Sequence, residues 1–105
     1  MSSKLTILSL RYFANLLSIA RKEKGLSIDE LRSRVGVSKP TIIKILQGDG
    51  VVAIETYFEA ASILGIPLFD SDDGRLSGRV KESEKLLSLL PSRIRKKEMK
   101  LDDNF

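Results

Sequence analysis

Apolar residues along the chain recur three and four apart, and glycine or proline breaks each run, so the pattern predicts a succession of amphipathic helices. The first is expected over residues 6–24. Leu10, Phe13, Leu17 and Ala20 form its buried stripe, and Leu16 widens it. Lys22 and Lys24 suit the dipole of its last turn, Gly25 ends it, and residues 1–4 are expected to fray. Tyr12 and Phe13 read as core residues rather than as a stacking platform for bases. A second, two-turn helix opens at Ser27, where Glu30 completes a capping box, and it carries Ile28, Leu31 and Val35 on one face. Gly36 stops it, because a left-handed exit suits a residue without a Cβ. Val37 fills the corner and Ser38 caps a third helix, with Pro40 in the first turn, where a missing N–H does no harm. Ile42, Ile45 and Leu46 make the buried stripe of that helix and Gly48 closes it. A fourth helix over residues 54–64 spaces Ile54, Tyr57, Phe58, Ala61 and Leu64 helically; Gly65 caps it and Pro67 bars its continuation.

Two short capped helices joined by Gly36-Val37-Ser38 satisfy the pattern of a helix-turn-helix. With the buried positions removed, the second of the pair presents Ser38, Lys39, Thr41, Lys44 and Gln47, with Pro40 and Ile43 beside them. Residues 31–48 hold the basic side chains Arg32, Arg34, Lys39 and Lys44 and no acidic one. Such a surface suits a polyanion: lysines neutralise phosphates, and a helix N-terminus adds partial positive charge. The plainer alternative is a helical hairpin with solvated lysines.

The composition changes abruptly at Asp70-Ser71-Asp72-Asp73-Gly74, read as an acidic linker that ends a first domain at residue 69 and begins a segment over residues 70–105. Its glycine falls one place early for a calcium loop. A helix over residues 76–90 follows, with Leu76, Val80, Leu87 and Leu90 near one face, Leu86 and Leu89 flanking and Ser83 interrupting. A lone amphipathic helix of this length is marginal in water, so it must dock on its own bundle, on a second copy or on another protein. Pro91 ends it. The basic run Arg93-Ile94-Arg95-Lys96-Lys97 has three open readings: a DNA-contacting arm, a docking segment for an acidic partner, or a solvated tail. Leu87, Leu90, Arg93, Arg95, Lys96, Lys97 and Phe105 are the candidate partner-binding residues.

Composition narrows the classes. A chain of 105 residues with 42% hydrophobic and 30% charged residues suits a soluble globular protein. Its 18 Lys+Arg against 14 Asp+Glu give +4, a balance that permits DNA binding without demanding it. The absence of cysteine and histidine removes disulfides, thiolate nucleophiles, imidazole bases and the usual zinc sites. No cofactor or metal is expected, and an enzyme is the weakest reading, since the carboxylates are scattered or clustered in the linker. With no apolar run of about 18 residues and no signal-peptide pattern, a cytoplasmic protein without membrane contact is expected.

The series Gly25-Leu26-Ser27…Glu30-Leu31…Val35-Gly36-Val37-Ser38…Thr41-Ile42…Ile45…Gly48, followed by Ala60-Ala61…Leu64-Gly65-Ile66, resembles the lambda-repressor-like, or XRE-type, DNA-binding domain over roughly residues 10–69. The resemblance implies an all-α bundle of four to five helices with a helix-turn-helix, dimeric on double-stranded DNA, its third helix in the major groove. Here the C-terminal helix and tail are additional. Two positions depart from the family. Ile28 stands where many relatives use glutamine to hold a phosphate, which leaves that anchoring to the helix N-terminus or Arg32. Arg21 matches an arginine that relatives pair with a glutamate late in the third helix, but Leu46 occupies the acidic place, so Arg21 is expected to face solvent or phosphate. The loop after Gly48 has no basic residue, and Asp49 would oppose DNA if it pointed that way.

Within this resemblance, a homodimer would set two copies of the third helix into successive major grooves, about 34–36 Å apart. Lys39, Thr41 and Lys44 are the candidates for base edges, with Pro40 as an apolar contact; Ser27, Arg32, Ser38 and Gln47 are the candidates for phosphates. Exposed parts of Tyr57 or Phe69 are candidates for the dimer interface. The ending from Leu90 to Phe105 also resembles tails of small XRE regulators encoded beside HipA-type kinase toxins, which implies an autorepressing antitoxin that binds the kinase. A stand-alone or phage-type repressor and a protein-interaction module are the alternatives.

Overall fold

The computed structural model describes residues 2–93. These form α1 (Lys4–Glu23), α2 (Ile28–Val35), α3 (Lys39–Gln47), α4 (Ile54–Ile63) and α5 (Asp73–Leu89), with no strand among the described residues. Two compact units divide between Ser71 and Asp72, with α1–α4 in the first and α5 in the second.

Serine starts each of the first three helices. Ser3, Ser27 and Ser38 lie in extended backbone, and each hydroxyl accepts the N–H of the residue three places on, Thr6, Glu30 and Thr41, at 3.2, 3.0 and 3.3 Å. The Ser3 cap is why α1 begins at Lys4, inside the stretch expected to fray. At Ser27 the box is complete: the Glu30 carboxylate accepts the Ser27 N–H at 3.0 Å. That bond, then the Ser27 hydroxyl and the charge of Arg34, hold Glu30 below its ordinary value of 4.5. Helix α4 has Ala53 at its cap position and no side-chain cap.

The core of the first unit is made where these helices meet. Leu17, Leu31, Ile42, Ile45, Ala60 and Ala61 are fully buried, with Leu26, Tyr57 and Leu64 nearly so. Leu10, Phe13, Ala20, Ile28, Val35, Val37 and Leu46 pack half-buried around them. Phe13 stacks on Tyr57 with ring centroids 5.8 Å apart. Two expected core positions do not hold. Tyr12 is exposed, because neighbours in a helix are 100° apart and the stripe that carries Phe13 inward carries Tyr12 out; Leu5, Leu8 and Ile19 share that outer side. Ile54 is 66% exposed at the first position of α4. Tyr57 is buried, as its place in the α4 stripe predicts, which leaves no exposed part for a dimer interface; Phe69 is exposed and meets Phe58 edge-on.

Gly36 and Gly48 both adopt the left-handed conformation, with φ of 85° and 76°. Their surroundings differ. A Cβ on Gly36 would meet open space, whereas one on Gly48 would sit 2.9 Å from the carbonyl oxygen of Leu10, against the backbone of α1.

In the second unit the acidic stretch is not a linker up to residue 75. Asp72 is the N-cap of α5, its carboxylate accepting the N–H groups of Gly74 and Arg75 at 2.7 and 3.2 Å, and Asp73 lies in the first turn, where negative charge complements the dipole. Ser83 and Ser88 donate back to the carbonyls of Val80 and Lys85 at 2.8 and 2.6 Å, so both satisfy their hydroxyls within the helix. Leu90 is extended, as a residue before proline must be, and the helix stops there. None of the residues of α5 is buried; Leu87 and Leu90 are exposed, as is Arg93. Of the partner-binding candidates, Arg95, Lys96, Lys97 and Phe105 lie outside the described residues.

Candidate nucleic-acid interface

The exposed side of α3 follows from its buried side. Ile42 and Ile45 are fully buried, which turns Lys39, Pro40, Lys44 and Gln47 outward, all exposed, with Ile43 half-buried among them. Thr41 lies on the flank of this face, half-buried. Its hydroxyl pairs with that of Ser38 at 2.9 Å.

Ser27 and Ser38, the phosphate candidates, are both committed to capping. Pro40 has no N–H, and that of Thr41 is taken by Ser38, so two first-turn amides of α3 are not offered to an anion. The helix dipole remains, and Lys39 and Lys44 are exposed beside it.

Arg32, the substitute phosphate anchor, is half-exposed and already has a partner. Its Nε lies 3.4 Å from Oδ1 of Asp29, and the same carboxylate oxygen is 4.0 Å from Nζ of Lys39. The sequence shows no acid between Leu31 and Gly48; the fold brings one in from the first turn of α2. Spacing within α2 makes the Asp29–Arg32 pair readable, but the approach of Lys39 depends on how α2 and α3 cross.

One further expectation is corrected. Arg21 does not face solvent or phosphate: its Nη1 donates to the carbonyl of Leu26 at 2.7 Å, tying the end of α1 to the entry of α2, and its Nε is buried without a partner. Asp49 is tied into its own turn. Its carboxylate accepts the N–H of Val51 at 2.9 Å, and its carbonyl accepts the Tyr57 hydroxyl at 2.6 Å. Burial, then the charge of Asp49, pushes the Tyr57 phenol above its ordinary value of 10.0.

No group of side chains among the described residues forms a metal site, and no helix of theirs is long and apolar enough to cross a membrane. A helix-turn-helix family model matches residues 17–70, a little over half of the chain, and spans α2, α3 and α4 entirely. Comparison with curated proteins and with solved structures gives no match. The capped pair α2–α3, the basic outward side of α3 and the family match agree, and the chain belongs to the XRE-type, lambda-repressor-like helix-turn-helix family of DNA-binding domains.

Proposed function

We propose that this protein is a sequence-specific DNA-binding transcriptional regulator that acts as a homodimer on double-stranded DNA. The observation that carries the reading is the exposed side of α3, where Lys39, Lys44 and Gln47 project around Pro40 with no carboxylate on the helix itself. Lys39 and Lys44 donate to base edges, guanine N7 and O6 being the matching acceptors, and Pro40 and the Thr41 methyl offer apolar contact to a thymine methyl. Gln47 and Arg32 hold phosphates, Arg32 through its Nη groups while its Nε stays beside Asp29, and Ser27 and Ser38 contribute through the helix ends they cap. The test is a gel shift on the DNA upstream of its own gene, with a scrambled duplex of equal length and salt varied. Retention of the upstream duplex over the scrambled one supports the reading, and equal, weak binding to both removes sequence specificity.

The finer reading is that of an autorepressing antitoxin whose C-terminal segment holds a protein toxin of the HipA kinase type. It is supported by the exposure of Leu86, Leu87, Leu89 and Leu90, an apolar surface available to a partner. Co-purification with a kinase encoded next to the gene tests it. Deletion of residues 91–105 should then weaken toxin binding more than DNA binding. Lack of a kinase-like neighbour leaves a stand-alone repressor.

A further inference from the structure

A regulator must bind its operator while ignoring the excess of other DNA, and other DNA is held almost wholly by cation–phosphate attraction. In this protein one carboxylate lies inside the cationic face. Asp29, in the first turn of α2, places Oδ1 3.4 Å from Nε of Arg32 and 4.0 Å from Nζ of Lys39, the first residue of α3. All three side chains reach solvent, at 64%, 41% and 57% exposure, so a phosphate arriving at Arg32 or Lys39 has to compete with a fixed counter-charge and lie near it. Lys44, on the same face, has no such acid on its own helix.

We propose that Asp29 is a specificity-determining residue of this face: by occupying Arg32 and Lys39 it withholds two cations from phosphates in general. The inference rests on the DNA-binding reading of α3. Random DNA offers only phosphates in exchange for the pairs, so it loses most. A cognate site adds base-edge contacts along α3, which offset the loss of the Lys39 pair while the Arg32 pair can stay. Asp29 acts through these cations and through its own repulsion of phosphate, so its effect falls as salt rises.

Full-length protein and Asp29→Asn are compared on two duplexes of equal length, one of random sequence and one selected by the wild-type protein from a random pool. Asp29→Asn is expected to bind random DNA about fivefold more tightly at low salt, consistent with the modest strength of exposed ion pairs. Its log affinity should fall more steeply with log salt, by about 0.9 for each cation set free. The gain on the selected duplex should be smaller, so the ratio of the two affinities falls. Unchanged affinity and slope on random DNA overturn the proposal, as do equal gains on both duplexes. Asp29→Ser, which keeps a short polar side chain in the first turn, should repeat the result. In an Arg32→Ala, Lys39→Ala background the gain should shrink to what relief of repulsion alone supplies; a gain of full size there shows that Asp29 does not work through these cations and overturns the assignment. Wild-type protein that binds neither duplex defeats the DNA-binding reading itself, an outcome distinct from wild-type binding with an inert Asp29→Asn.

Discussion

Alanine at Gly48 and alanine at Gly36 make a controlled pair, since both glycines end a helix in the left-handed conformation and only one is enclosed. At Gly36, with nothing near its Cβ, the cost is conformational: about 1–2 kcal/mol for an L-residue in this region. Alanine also loses less backbone entropy on folding, which returns about 0.4–1 kcal/mol, so a net loss of about 1 kcal/mol is expected. At Gly48 the same balance applies, and the new Cβ also falls 2.9 Å from the Leu10 oxygen, 3.1 Å from its carbonyl carbon and 3.2 Å from Arg11 Cα. These are backbone atoms of α1, which no side-chain rotation can move aside, and overpacking of this sort costs about 1–3 kcal/mol more. Gly48→Ala should therefore lose about 2–4 kcal/mol, a gap from Gly36→Ala of roughly 4–24 °C in Tm for a unit of this size. Urea unfolding followed by circular dichroism gives the difference as a shift in midpoint at constant slope. Asparagine sharpens the comparison, because it tolerates the left-handed region but still carries a Cβ. Gly36→Asn should recover most of the loss and Gly48→Asn little of it. Equal losses for the two alanine variants, or equal recovery by asparagine, would refute the steric argument.

Lys39→Ala and Lys44→Ala should each cost about 1–3 kcal/mol on a selected duplex if they touch base edges, read by fluorescence anisotropy; equal losses on random DNA reassign them to phosphates. Tyr57→Phe removes the hydrogen bond to the Asp49 carbonyl and should lower stability by about 1 kcal/mol, seen in the urea midpoint. Because the Tyr57 phenol is raised, the stability it adds is complete below about pH 10 and is lost as pH rises through the folded value, so Tyr57→Phe should flatten the alkaline fall in Tm. Glu30 is lowered, so its contribution is present above about pH 4.5 and disappears as pH falls through the folded value. Glu30→Gln should thus narrow the stability difference between pH 6 and pH 3, and an unaltered acid slope would show that the capping box is energetically idle.

What the sequence made legible was local. Ser27 with Glu30, Gly36, Ser38 and Gly48 act within a few residues of themselves, so their types announce the boundaries of α2 and α3 directly, and those boundaries orient the outward side of α3. The misjudged positions depend on partners the spacing does not reveal. Arg21 turned inward because the α1–α2 corner brings the Leu26 carbonyl within reach. Asp72 could have been recognised as a cap from its place before a periodic run, but the density of acids around it masked the signal. Asp29 was beyond reach for another reason: its pairing with Lys39 spans two helices, and only their crossing brings the charges together.

Helix α3 is fixed at both ends, by the Ser38 cap at its start and by Gly48 pressed on the α1 backbone at its finish. An insertion between them would turn Gly48 about 100° away from its seat, so the helix cannot be lengthened by a residue without parting from α1. Divergence of such a chain toward new targets is thereby channelled into exchanges of side chains at a constant set of outward positions, with the frame that displays them left unaltered.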